Sequence, residues 1–121
     1  MRAAAKRSIV LAVEDEPVIL MTAVAIIFDA GFEALQATNA DQAVAILESR
    51  DDIRIIFTDI NMPGFMDGPK LAHAVRGRWP PIKIIVTSAL ADNRPLPVGS
   101  LFIPKPYDLA HISTALWELA A

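Results

Sequence analysis

Five polar side chains in this sequence stand at the ends of apolar runs, where they can act together. Glu14 and Asp15 follow the run Ser8–Val13, and Asp59 follows Ile53–Thr58. Thr87 closes Lys83–Thr87, and Lys105 lies just beyond Ser100–Ile103. Asp59 is the most telling, because IIFTDINMPG puts a charge at the end of a strand meant for a dry interior. Such a charge is costly unless something compensates for it. Three carboxylates held close together repel one another and shift in pKa unless a cation joins them. Oxygen donors with no histidine or cysteine beside them suit a hard ion such as Mg²⁺, which keeps several of its waters. A carboxylate beside such an ion can attack a phosphoryl group, while the ion and a lysine offset the charge on the transferring oxygens. A threonine hydroxyl can donate to one oxygen more. Taken singly, each residue has a plainer reading: Glu14-Asp15-Glu16 as a solvated turn, Asp59 as a cap, Thr87 as a strand residue, Lys105 as a surface lysine. Their joint placement favours the chemical reading.

The elements that would hold these groups follow from the pattern between them. The first, third and fourth runs are nearly continuous Ile, Val, Leu and Phe, as in parallel strands covered on both faces. With Glu33–Ala37 and Ser100–Ile103 they make five strands. A helix opens at Pro17 and stops at Gly31. A second, capped by Thr38 or Asn39, runs through AVAILESR. A third follows Asp67-Gly68-Pro69, and the last follows Asp108 through LAHISTALWEL. Alternating strands and helices predict βαβ units and a doubly wound parallel sheet, with ligands beyond the carboxyl ends of the strands. All five polar residues would meet on that rim. One interval breaks the alternation: Pro95, Pro97 and Gly99 fall between Thr87 and Lys105, so a loop or at most one helical turn is expected there.

Composition narrows the function. The 121 residues suit a single domain over 1–121, with 54% hydrophobic and 21% charged content favouring a compact fold. Eleven basic against fourteen acidic residues give −3, so no basic field marks a nucleic-acid partner. The absence of cysteine removes disulfides and thiol chemistry, and only two histidines, His73 and His111, are present. The run from Ile9 to Val13 is too short for a signal core, and Val18 to Phe28 falls short of the ~20 residues of a membrane span. A soluble cytoplasmic protein with no membrane association is expected.

The blocks SIVLAVEDEP, IIFTDINMPG with MDG after it, KIIVTSA and FIPKPYD, in this order, resemble the receiver domain of two-component response regulators. The match spans essentially the whole chain. The resemblance implies a flavodoxin-like five-stranded sheet of order 2-1-3-4-5. It makes Asp59 the phosphoacceptor, and Glu14 and Asp15 the acidic pair holding Mg²⁺ with Asp59 and the Asn61 backbone carbonyl. Thr87 is similar to the hydroxyl residue that follows the phosphoryl group, Lys105 to its lysine partner, and Phe102 to the aromatic switch. A cis peptide is implied at Lys105–Pro106. Three departures stand out. MPGFMDG has one residue more than the family pattern. Glu14 replaces the commoner aspartate with a longer arm, able to reach Mg²⁺ through water. The segment after Thr87 is short and rich in proline, so the fourth helix is expected to be degraded or absent, and a surface that relies on it is put in question.

The first helix is apolar nearly all round. With Ile19, Ala23, Ile26 and Ala30 as its core stripe, Leu20, Met21, Val24 and Phe28 face outward, a patch that marks a partner surface. The resemblance points to docking of a histidine kinase or histidine phosphotransferase there. Self-association to a homodimer, or no role at all, are the other readings. On the last helix Leu109, Ile112, Leu116 and Leu119 are read as core, with Trp117 off the stripe. His73 and His111 are read as surface residues. The expected function is a phospho-accepting receiver, free-standing or cut from a longer protein, that relays a switch to a downstream protein target. It would be no enzyme beyond its own phosphorylation and slow autodephosphorylation. A phosphohydrolase would want a second acid two positions after Asp59, where Asn61 stands. The alternative of a different class is a receiver-like interaction module that needs no phosphorylation.

Overall fold

The structure, a computed structural model, describes residues 7–60, 68–88 and 95–120. Its strands are β1 (Ile9–Val13), β2 (Glu33–Ala37), β3 (Ile53–Asp59), β4 (Lys83–Ser88) and β5 (Leu101–Pro104). They form one parallel sheet in the order β2-β1-β3-β4-β5. The helices are α1 (Pro17–Asp29), α2 (Ala40–Ser49), α3 (Gly68–Arg78) and α4 (Leu109–Ala120).

Successive side chains of a strand point to opposite sides, and the central strands β1, β3 and β4 are buried on both faces. On one face Ile9, Leu11 and Val13 pack with Ala43 and Leu47 of α2 and Leu71 and Val75 of α3. On the other, Val10 and Ala12 pack with Leu20 and Ile27 of α1 and Ile112 and Leu116 of α4. Local signals set the helix ends. The Glu16 carboxylate accepts from the Val18 N–H at 3.3 Å just before Pro17, whose fixed φ suits a first turn. The Asn39 side chain accepts from the Gln42 N–H at 2.8 Å, so Asn39 and not Thr38 is the cap.

Two helical faces differ from expectation. In α1 the buried residues are Leu20, Ala23 and Ile27, while Ile19 and Ile26 are half-buried. Leu20, expected on the outside, is only 5% exposed, and Val24 is half-buried against the same core. Met21 and Phe28 do face solvent, joined by Val18. An apolar surface on every side leaves the helix phase undetermined by about one residue, or ~100°. In α4, Ile112 and Leu116 are buried, but Leu109, in the first turn, is exposed.

Among the described residues no helix lies between β4 and β5; residues 89–94 fall outside them. The chain from 95 to 100 closes a tight turn, with the Ser100 N–H donating to the Pro97 carbonyl at 3.1 Å and Gly99 at φ +86°. Leu96 leans on the α2–α3 core, and His73 Nε2 of α3 lies 2.9 Å from the Pro95 carbonyl oxygen. Trp117, though half-exposed, is tied inward: its indole N–H donates to the Ala30 carbonyl at 2.9 Å and its ring stacks at a tilt on Phe32.

Candidate functional site

The rim is assembled by backbone hydrogen bonds at the strand ends. The Glu14 N–H donates to the Ala37 carbonyl (3.0 Å), the Ile60 N–H to the Thr87 carbonyl (2.8 Å), and the Lys105 N–H to the Ser88 carbonyl (2.8 Å). Asp59 lies beside Thr87 in the β3–β4 register. The parallel sheet therefore brings together four chain segments far apart in sequence. Glu14, Asp59 and Thr87 are buried, whereas Asp15 opens to solvent.

Lys105 organises the charges. Its Nζ is 2.7 Å from Glu14 Oε1 and 3.4 Å from Asp59 Oδ2, with all three side chains largely buried. The second oxygen of Glu14 accepts from the Asp15 N–H at 3.0 Å. Burial pushes the Glu14 carboxyl up to about 7; Lys105 opposes that rise and the neighbouring Asp59 adds to it. Burial works against the Lys105 ammonium, yet Glu14 and Asp59 together outweigh it and hold its pKa above the ordinary value. Carboxylate oxygens of Glu14, Asp15 and Asp59 lie within 4.8 Å of one another. That donor set fits a hard divalent cation: oxygen only, few in number, and open on the Asp15 side where bound water has room.

Of the residues expected at the site, Glu14, Asp15, Asp59, Thr87 and Lys105 thus converge. Asn61 and the lengthened loop to Asp67 lie outside the described residues. Lys105–Pro106 is a cis peptide. Phe102 stands on β5 and is 44% exposed. Tyr107 is the residue the sequence reading passed over. Half-buried, with its ring edge-to-face on Phe57, it has its phenol pushed up to about 12 by burial and by the charges of Glu14 and Asp59. Its signal was present, two positions after Lys105 on the same loop. Beside the rim, Val18, Ile19 and Thr22 of α1 face Lys105, Pro106 and Tyr107 across a cleft of about 520 Å³. Met21, Val24 and Phe28 line a second groove of about 490 Å³ between α1 and β2.

The family model for the response regulator receiver domain matches residues 10–116. The chain is 34% identical over 116 residues to the sensor kinase CckA of Brucella abortus, covering 91% of this chain and 12% of that protein. It is 35% identical over 94 residues to the hydrogenase transcriptional regulatory protein HoxA of Cupriavidus necator, covering 78% of this chain and 19% of that protein. The chain therefore spans less than a fifth of the length of these relatives. Among solved structures, the receiver domain of the hybrid histidine kinase CckA superposes with a TM-score of 0.80 at 27% identity, covering 93% of this chain and 99% of that one. The chain belongs to the response regulator receiver domain family.

Proposed function

We propose that this receiver, acting as one domain over residues 1–121, takes a phosphoryl group onto Asp59 from a histidine kinase or phosphotransferase. The observation that carries the reading is the meeting of Glu14, Asp15, Asp59 and Lys105 on one rim. An Asp59 carboxylate oxygen forms a bond to phosphorus as the donor's phosphorus–nitrogen bond breaks, and the imidazole leaves with a proton from solvent. Lys105 offsets the charge on the transferring oxygens, and the Thr87 hydroxyl donates to one of them. Glu14 and Asp15, with Asp59 and the Asn61 carbonyl, are the residues that would hold Mg²⁺, which supplies charge neutralisation at the phosphoryl oxygens. Water later cleaves the acyl phosphate slowly, and no other turnover is assigned to the chain.

Phosphorylation adds charge at the rim, and Thr87 and Lys105 draw towards it. Phe102 turns inward from its exposed position, and the 95–100 segment repacks, biasing a two-state equilibrium. The kinase or phosphotransferase docks on α1 and the loop at Pro106, where the cleft of Val18, Ile19 and Thr22 adjoins Lys105. A downstream protein reads the switched surface, and the domain works in the cytoplasm; no described helix is long and apolar enough to cross a membrane.

Intact mass after incubation with acetyl phosphate and Mg²⁺ tests this reading. Wild type is expected to gain one phosphoryl group, dependent on Mg²⁺, while Asp59→Asn gains none. If wild type also gains none, from acetyl phosphate or from a phosphorylated kinase, the phosphorylation-independent interaction module takes its place. The short segment after Thr87, with Pro95 and Pro97 in it, is the sequence feature that favours that second reading.

A further inference from the structure

The chain's negative surplus is unevenly placed. From Gly68 to Ile82 stand Lys70, Arg76 and Arg78 with no acidic residue, a charge of +3. The other eight of the eleven basic residues, with all fourteen acidic ones, lie elsewhere and sum to −6. Lys70, His73 and Gly77, three and four positions apart, form the exposed crest of α3 opposite the buried Leu71, Ala72 and Val75. A Cβ at Gly77 would meet nothing within 4 Å, so the crest is open there. On one flank Arg78 is matched by Glu48 at 2.7 Å. On the other, Arg76 Nη1 donates to the carbonyls of Pro80 (2.7 Å) and Ile82 (3.2 Å), neutral acceptors that leave its charge in place. That second flank also holds the turn before β5. His73 Nε2 lies 2.9 Å from the Pro95 carbonyl oxygen, and Arg76 Nη2 comes within 3.8 Å of where a Cβ on Gly99 would stand. Between these two holds, Pro97 is buried and Leu96 leans on the core, while Val98 at the tip is 94% exposed. One exposed apolar side chain is ordinary on its own. This one is fixed in a closed turn beside an arginine, so a contact with it needs little further ordering.

We propose that α3 and the 95–100 turn together form the surface that the downstream protein reads, and that the partner segment is acidic, with an apolar side chain set against Val98. Its carboxylates face Lys70, His73 and Arg76, and its backbone runs over the open crest at Gly77. Charge selects this class of partner. The remainder of the chain, at −6, repels an acidic segment, so repulsion elsewhere and attraction here work together. The inference rests on the switch reading above, in which the 95–100 segment repacks on phosphorylation. Because His73 and Arg76 tie that segment to α3, a shift of the turn moves Val98 against the crest and changes the fit to the partner.

The test is a titration of the full chain, followed by amide NMR, with a synthetic helical peptide of about 15 residues. Leucine recurs in it at every third or fourth position and glutamate fills the rest. The same peptide with lysine for glutamate, and a single-stranded DNA oligonucleotide, are the controls. The glutamate peptide should shift the His73, Gly77, Val98 and Gly99 signals saturably, and the lysine peptide should leave them in place. Val98→Asp and Gly77→Glu change positions open to solvent. They should weaken binding about tenfold and about fivefold, with acetyl phosphate labelling of Asp59 unchanged in both. Shifts confined to the rim or to α1, an equal response to both peptides, or wild-type binding by Val98→Asp overturns the proposal. An oligonucleotide that binds as tightly as the glutamate peptide also overturns it, in favour of a general polyanion surface. Between the unphosphorylated chain and one shown by mass to be phosphorylated, affinity for the glutamate peptide should differ about fivefold. Equal affinity in those two states overturns the link between this surface and the switch. A chain that takes no phosphoryl group removes the phospho-acceptor reading instead, and the peptide map of the unphosphorylated chain still decides the surface.

Discussion

A carboxyl raised to about 7 makes Glu14 a group that titrates near neutral pH. Its folded value lies above its ordinary 4.5, so the folded state keeps a proton that the unfolded state gives up. The associated stability is fully present below about 4.5 and is lost as pH rises through 7. In the presence of a chelator, wild type should therefore lose stability between pH 5 and pH 8, on the order of 3 kcal/mol at most. Glu14→Gln should flatten that slope in urea unfolding at the two pH values. Because a metal must displace the same proton, Mg²⁺ should bind about tenfold more weakly at pH 6 than at pH 8, measurable by calorimetry. Equal affinity at both would show that Glu14 either is not a ligand or does not titrate in this range. The five polar residues of the rim were legible from the sequence because each follows an apolar run long enough to be a strand. What could not be read was their pairing. Whether Lys105 prefers Glu14 or Asp59 is decided by less than an ångström, set by side-chain length and backbone position together.

At the scale of elements, α1 carries both the core and the proposed docking face, and single substitutions separate them. Leu20→Ala empties a site that is 5% exposed and should cost about 2–5 kcal/mol in denaturant unfolding. Met21→Ala, on the solvent side, should stay within about 0.5 kcal/mol. Met21→Glu should slow phosphoryl transfer from a cognate kinase about tenfold while leaving acetyl phosphate labelling unchanged. Equal slowing with both donors would move docking elsewhere. The corner beyond α1 is also specified by one residue: Gly31 has φ +106°, and a Cβ there would meet the Trp117 ring at 3.2 Å. Gly31→Ala is thus expected to destabilise by about 1 kcal/mol or more. The strands and helix ends were readable within a residue or two, since proline, asparagine and glycine mark them directly. The faces of α1 were not, because Ile19, Leu20, Val24 and Ile27 are equally apolar and only the sheet beneath selects among them. Trp117 was placed off the core stripe correctly, but its partners Ala30 and Phe32 come from a distant turn that periodicity cannot see.

Over the whole molecule, the parallel sheet separates two ends by about 15 Å of strand. The carboxyl ends hold Glu14, Asp59, Thr87 and Lys105. At the opposite ends sit the turn holding Gly31 and the α3–β4 connection, where Arg78 stacks over Trp79. Trp117 joins that lower end through its bond to Ala30. The chain's two tryptophans are therefore both remote from the rim, and its single tyrosine, Tyr107, lies against it. Optically the protein is split in two: indole emission reports the integrity of the scaffold, and the phenol band reports the electric field at the acidic end. A near-ultraviolet difference spectrum on adding Mg²⁺ should show a tyrosine feature with the tryptophan bands flat, whereas urea should move both. One unlabelled sample can then follow occupancy and unfolding as separate colours.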